Sequence, residues 1–204
     1  MKTARLFHEP RRTGPGRPRR SATGHAILKA TRDILARGGV QALTVEGVAE
    51  RSGIAKTTIY RRWRSKEDLA LAALLEVIRE EPPARHLGST RQAINAYLGL
   101  LIKNVNSKLY GRILRGLISE MAVDAELARG FREQVLVRRI AAIKDVLVRG
   151  IDRGELRSDL DVEIAVDLLL GPIYYRFLMS GEPLTAAFVD RLVRAVMAYG
   201  QDDE

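Results

Sequence analysis

Between Pro83 and Pro172 the chain contains no proline. So long an uninterrupted run permits helices of many turns, because proline is the residue that removes a helical amide donor and clashes with the preceding turn. No stretch sustains the alternation of apolar and polar residues that a half-buried strand needs between turn signals. Together these features predict an all-α protein. The breaks then divide it. Gly14, Pro15, Gly16 and Pro18 lie among Arg11, Arg12, Arg17, Arg19 and Arg20, a composition unable to bury a core, so residues 1–20 read as a flexible basic arm. The chain divides into a compact helical unit, residues 21–66, and a second, residues 67–204, with a connecting helix over 66–81 that runs up to the next strong break, Pro82-Pro83 with Gly88.

Within the first unit, Ile27, Ala30, Thr31, Ile34 and Leu35 follow the spacing of one helical face, and Gly38-Gly39 supplies the stop. Thr44 can cap a short helix that carries Val45, Val48 and Ala49 inward and ends at Gly53. After only Ile54 and Ala55, a second short helix runs from Lys56 to Trp63, and Ser65 with Asp68 forms a capping-box pattern that opens a fourth helix reaching about Glu80. Two short helices joined by a tight Gly-containing turn, braced by a preceding helix, have the layout of a helix-turn-helix.

Charge supports that layout. Residues 1–66 hold 16 Lys/Arg against 4 Asp/Glu, whereas residues 67–204 hold 18 against 21, so a +12 end is joined to a −3 remainder. Codon usage rich in Arg would have enriched both ends. A one-sided excess of this size is the footprint of a polyanion partner, since each neutralised phosphate releases condensed counterions. The second short helix offers Lys56, Thr57, Thr58, Tyr60, Arg61 and Arg62 on its polar faces while Ile59 and Trp63, four apart, turn inward. Long cations and hydroxyls on one exposed helix are what phosphate and base-edge contacts in duplex DNA require.

The stretch from Thr44 to Leu69, TVEGVAERSGIAKTTIYRRWRSKEDL, resembles the DNA-binding signature of the TetR-type one-component transcriptional regulators. The resemblance implies an N-terminal three-helix helix-turn-helix domain and a C-terminal helical ligand-binding and dimerisation domain. It implies that Thr44, Tyr60 and Lys66 hold phosphates, that Lys56, Thr57 and Arg61 reach base edges, and that Thr58 caps or touches backbone. Two departures stand out: Gly47 lies inside the first motif helix, at about 1 kcal/mol of propensity, and Trp63 replaces the more usual Phe. In the arm, Gly16-Arg17-Pro18-Arg19 is similar to short Arg-Gly-Pro arms that lie in narrow minor grooves, with Arg17 and Arg19 the inserting side chains; a generic phosphate-binding tail has the same composition.

The second unit carries longer stripes: Tyr97, Leu101 and Val105; Tyr110, Ile113, Leu114, Leu117 and Met121; Leu127, Phe131 and Val135; Leu136, Ile140, Ile143 and Leu147. Asp161 caps a helix that Gly171-Pro172 should kink, and a last helix runs from Thr185 to Tyr199. The resemblance implies a homodimer formed by the last two long helices, for which Leu168, Phe188, Leu192, Val193 and Val196 are the candidates. It also implies a small, often lipophilic effector, with Tyr97, Leu101, Tyr110, Leu114, Leu117, Met121, Phe131, Tyr174 and Phe177 as candidate contacts and helix four as the lever. Asn95, Asn104 and Arg176 are possible polar anchors.

The function expected is therefore a sequence-specific DNA-binding regulator, a repressor released from a palindromic operator by a small ligand. The alternative is a DNA-binding regulator or architectural protein without an effector. An enzyme is not expected, and neither is a cofactor or metal. There is no cysteine, His8, His25 and His86 have no ligand spacing, acidic residues sit at helix ends, and no nucleophile elbow or phosphate loop occurs. The longest apolar run, Leu69 to Leu75, is seven residues, against the roughly 20 of a spanning helix. With no secretory apolar stretch after Met1, a cytoplasmic protein without membrane contact is expected.

Overall fold

The computed structural model describes residues 17–79 and 88–201, and every regular element among them is helical. Four helices make the N-terminal unit: α1 (Arg17–Gly38), α2 (Val45–Ser52), α3 (Lys56–Tyr60) and α4 (Lys66–Arg79), with a 3-10 turn at Val40–Ala42. The helix α1 begins inside the segment expected to be a flexible arm. Proline in a first turn forfeits no hydrogen bond, so Pro18 is no barrier there. Residues 1–16 of the arm lie outside the described residues.

The apolar stripe of α1 faces inward as its spacing predicts, with Ile27, Ala30, Thr31 and Leu35 buried and Ile34 half-buried. The Thr31 hydroxyl donates to the Ile27 carbonyl at 2.9 Å, so its burial leaves no donor unmet. At the stop, Gly39 takes φ 70° and its amide donates to the Leu35 carbonyl at 2.9 Å.

The second unit contains α5 (Thr90–Asn106), α6 (Lys108–Met121), α7 (Ala125–Phe131), α8 (Val137–Asp152), α9 (Val162–Tyr175) and α10 (Ala186–Tyr199). Ser89 and Gln92 form a full capping box at the start of α5, and Asp124, Asp161 and Thr185 cap α7, α9 and α10 through their side-chain oxygens. Thr90 is buried because the chain after α8 returns to it: its amide donates to Glu155 at 2.6 Å, and Arg153 donates to its hydroxyl at 3.0 Å.

A π-helical turn, Arg132–Leu136, joins α7 to α8. Every fourth residue from Leu127 through Phe131, Val135, Arg139 and Ile143 to Leu147 is buried. A straight α-helix repeats every 3.6 residues, so strict fourfold spacing would walk off the core; the extra residue taken up by the π turn holds the series in place. This corrects the expected stripe, because Arg139 occupies the inner position and Leu136 and Ile140 are only half-buried. A second π turn, Arg176–Ser180, follows α9, which runs through Gly171-Pro172 without ending there.

Two helices join the units. The first is α4, whose Leu69, Ala70, Ala73 and Leu74 are buried. The second is α6. Its Arg112 guanidinium donates to the carbonyls of Ala36 and, at 2.8 Å, Arg37, which closes the C-terminal end of α1. One turn further, Gly116 lies so close to Val40 that a Cβ there would stand 2.6 Å from a Val40 methyl. Glu120 accepts from Gln41 at 3.0 Å.

Candidate nucleic-acid interface

The helix-turn-helix is built by local bonds that the sequence specifies. Thr44 is in extended backbone and its hydroxyl accepts from the Gly47 amide at 3.0 Å, opening α2. Gly47 is tolerated because a Cβ would lie 3.1 Å from that same hydroxyl, in the first turn of α2. Gly53 ends α2 with φ 69°, a left-handed conformation that glycine adopts without strain. Ile59 then plugs the core completely, while Trp63 packs half-buried against it. The second helix is shorter than its sequence suggests, ending at Tyr60, although the amides of Arg62 and Trp63 still donate to the Ile59 carbonyl at 2.9 and 3.0 Å. The capping box after it is half formed: Ser65 accepts from the Asp68 amide, but Asp68 accepts from Arg64 and not from Ser65.

This scaffold leaves Lys56, Thr57, Tyr60 and Arg61 exposed on one side of α3, with Thr58 half-buried and its amide bonded to the Ala55 carbonyl at 2.9 Å. Thr44, Tyr60 and Lys66 come from three different elements, yet they line one shallow depression of about 280 Å³ together with Glu46, Arg64 and Ser65. Tyr60 is 50% exposed, which is unusual for an aromatic side chain held by a folded unit. Sequence reasoning missed one partner here: Lys56 donates to Glu46 at 3.0 Å. That bond, with the Lys56 charge behind it, holds the Glu46 carboxyl below the usual glutamate range. Nearby, Arg51 pairs with Asp33 at 3.0 Å, fastening α2 to α1. Arg17 and Arg19 fall in the first turns of α1.

Residues 27–73 match the family described as bacterial regulatory proteins, tetR family, and residues 84–196 match the tetracyclin repressor-like C-terminal domain. The HTH-type transcriptional regulator YdeS of Bacillus subtilis is 35% identical over 178 residues, 87% of this chain and 89% of that one. The chain belongs to the TetR family. The DNA-binding transcriptional repressor TetR of Mycobacteroides abscessus is 29% identical, with 84% of this chain and 90% of that one covered. The crystal structure of the TetR family regulator SCO0332 has 33% identity and a TM-score of 0.74 over 86% of this chain and 97% of that one. A TetR-family member is a DNA-binding transcriptional regulator and not an enzyme, which assigns α2 and α3 their role.

In the C-terminal TetR domain the expected effector contacts divide. Met121, Phe131 and Tyr174 line a cavity of about 410 Å³ between α6, α7 and the two π turns, with Ile118, Leu136, Leu178, Ala122, Ala128 and Arg132. Leu101, Tyr110, Leu114, Leu117 and Phe177 do not line it; they are buried among the helices as ordinary core, and Tyr97 is half-buried with its hydroxyl 3.5 Å from the Arg139 carbonyl. Apolar residues at helical spacing are identical in type whether they wall a cavity or fill a core. A buried cation that the sequence did not suggest is Arg139, only 3% exposed, whose guanidinium donates to the hydroxyls of Tyr110 and Tyr174, each at 3.0 Å. Among the polar anchors that were expected, Asn95 donates to the Arg91 carbonyl, and Arg176 stacks on Phe188 and donates to the Pro183 carbonyl.

The expected dimer residues divide as well. Leu168 is 42% exposed, but Phe188, Val193 and Val196 are buried within their own chain and Leu192 is half-buried, because α10 turns its broad apolar stripe onto α5 and α9. What α9 and the π turn after it leave uncovered includes Ile164, Leu168, Tyr175 and Met179, at spacings that fall on one helical face.

Among the described residues no group of His, Cys, Asp or Glu is placed to hold a metal, and no helix is long and apolar enough to cross a membrane.

Proposed function

We propose that the protein is a cytoplasmic homodimer that represses transcription by occupying a near-palindromic operator, and that a small lipophilic ligand in the C-terminal domain releases it. The observation that carries the reading is the convergence of Thr44, Tyr60 and Lys66 on one depression beside the exposed edge of α3. Three hydrogen-bond donors within one concave patch, beside a Glu46 carboxylate that Lys56 holds, suit a phosphate of the DNA backbone, and they fix the register at which Lys56, Thr57 and Arg61 meet the major groove. Thr58 serves the backbone of α3. Arg17 and Arg19 add positive charge for contact with the flanking duplex, by minor groove or by phosphate.

The uncovered face of α9, with Leu168 at its centre, supports pairing of two copies, and two heads then read half-sites about 34–36 Å apart or a multiple of it. The cavity of about 410 Å³ is within the ~300–1,000 Å³ range of small-molecule sites and opens on α6, which holds α1 through Arg112.

Selection of bound duplexes from a random pool, using the full-length protein, tests head and dimer together. The expected product is an inverted repeat preferred over random duplex by about 10³ or more at physiological salt. Recovery of duplexes without shared symmetry would leave the architectural alternative in its place.

A further inference from the structure

Glu46 places a carboxylate in the depression that Thr44, Tyr60 and Lys66 line, on a surface otherwise suited to a polyanion. Its partner is Lys56, whose ammonium donates to Oε1 at 3.0 Å, and the two side chains are 63% and 54% exposed. An ion pair so open to water adds little to stability. The turn between α2 and α3 is in any case fixed by Gly53 and by the fully buried Ile59. The pair is not a staple of the fold.

Its position gives it another use. Glu46 lies in the first turn of α2 and Lys56 is the first residue of α3, and in a helix-turn-helix the N-terminal residues of the second helix contact base edges in the major groove. Where the Lys56 ammonium goes, the Glu46 carboxylate follows at one hydrogen bond, and each group keeps further donors or lone pairs for a base. A donor and an acceptor side by side match a G·C pair. Guanine O6 accepts and cytosine N4–H donates, and the hydrogen bond between those two atoms sets them about 2.9 Å apart, against 3.0 Å between Lys56 and Glu46. An A·T pair also sets a donor beside an acceptor, but adenine N6 lies between the N7 and O4 acceptors, which repel a carboxylate, and the thymine methyl crowds an ammonium at O4. Guanine N7 instead offers the ammonium a second acceptor.

We propose that Lys56 and Glu46 read one G·C pair of each half-site as a unit, Lys56 donating to guanine O6 and Glu46 accepting from cytosine N4, so that Glu46 is a specificity-determining residue. The proposal rests on the reading of α3 as the major-groove helix and adds the base it meets.

The test uses the full-length protein and its Glu46→Ala variant, each selecting duplexes from a random pool and then titrated by fluorescence anisotropy against synthetic sites. The wild-type protein should fix a G·C pair in each half-site that the variant relaxes, with the other positions kept. Replacing the cytosine of that pair by N4-methylcytosine preserves base pairing but puts a methyl where an N–H faced the groove. This should lower wild-type affinity about tenfold and that of Glu46→Ala less than about twofold. Undiminished binding of random duplex shows that the variant is folded. A carboxylate acting only as a counter-charge would instead shift affinity for every duplex alike.

Equal losses in both proteins on the methylated site, a uniform shift at every position, or a wild-type site with no fixed G·C pair would overturn the base assignment and leave α3 as the major-groove helix. A wild-type pool with no inverted repeat would overturn both.

Discussion

The N-terminal head and the C-terminal bundle are built from the same material, short-capped helices around an aliphatic core, but they place function at opposite depths. In the head, the side chains assigned to DNA are exposed and polar: Lys56, Thr57, Tyr60 and Arg61 stand clear of the core that Ile59 fills. In the bundle, the polar cluster lies underneath: a buried arginine is bonded to two tyrosines, one of which, Tyr174, lines an apolar cavity. A surface that meets a long polyanion must be reachable and charged, whereas a site for a small molecule must exclude water. Damage to the first should change affinity and spare stability; damage to the second should usually change both.

The sharpest way to break this contrast is a triple substitution on α3. Lys56→Ala, Tyr60→Ala and Arg61→Ala together should lower operator affinity by about 10³-fold, roughly 4 kcal/mol, in fluorescence anisotropy. The midpoint of thermal unfolding should move only slightly, because exposed side chains of this kind contribute little to stability. A large drop in stability would show that α3 is structural first.

Leu98→Ala sharpens the other side. Leu98 is fully buried in α5, within the C-terminal unit, and its truncation should cost about 2–5 kcal/mol in denaturant unfolding, with operator affinity of the folded protein held within twofold.

Gly116→Ala probes the junction. Alanine gains about 1 kcal/mol of helix propensity, but its Cβ would sit 2.6 Å from one Val40 methyl. Val40 is β-branched and cannot swing aside freely, and overpacking of this kind costs about 1–3 kcal/mol. A net destabilisation is expected, together with weaker operator binding, since the head must shift with Val40. A gain in stability would show that the contact is slack.

The smallest effect concerns Glu46. Glu46→Gln frees Lys56 from its counter-charge and should raise affinity for random duplex by roughly two- to fivefold at low salt. The sign with pH follows from the lowered folded value: the Glu46–Lys56 bond is fully present above the ordinary glutamate range and is lost as pH falls through the lowered one. Wild-type binding to random duplex should therefore strengthen on acidification and the variant should not. Glu155 has the same sign, held low by Arg153 and then by the Thr90 amide. Its link between α5 and the chain after α8 accordingly weakens in acid, which unfolding at graded pH would register.

The head was largely legible in the sequence because its determinants are local. A capping hydroxyl, a left-handed glycine and an apolar pair four apart fix α2, the turn and α3 within twenty residues, and the polar positions follow by exclusion. Even there, the Lys56–Glu46 pair was missed, since it joins two helices through long side chains that no spacing rule relates. The arm boundary was also misplaced, because Arg-Pro-Arg-Arg is as acceptable in a first turn as in a coil.

In the bundle, periodicity found the helices but could not assign their faces. Tyr110, Leu114 and Leu117 are core and Met121 lines a cavity, although all four share one stripe of α6. The α10 stripe was read as an interface because it is dense, yet Phe188, Val193 and Val196 are spent inside their own chain. Arg139 escaped notice because a charged residue at a buried position becomes visible only once the π turn sets the phase of α8.

The seating of α6 against α1 carries one more consequence. Arg112 grips the last carbonyls of α1, and Gly116 leaves no layer of side chains between α6 and Val40; Ile118 and Met121, on the same helix, wall the cavity. One helix thus touches the head from Arg112 to Glu120 and, on the same stretch, walls the cavity through Ile118 and Met121. On the proposed reading, a molecule that wedges into the cavity therefore pushes on the same turns of α6 that hold the head. By the reciprocity of linked equilibria, a promoter that holds the heads in place resists entry of the wedge by the same factor. The free regulator, rather than the bound one, is then the better sensor in the cell.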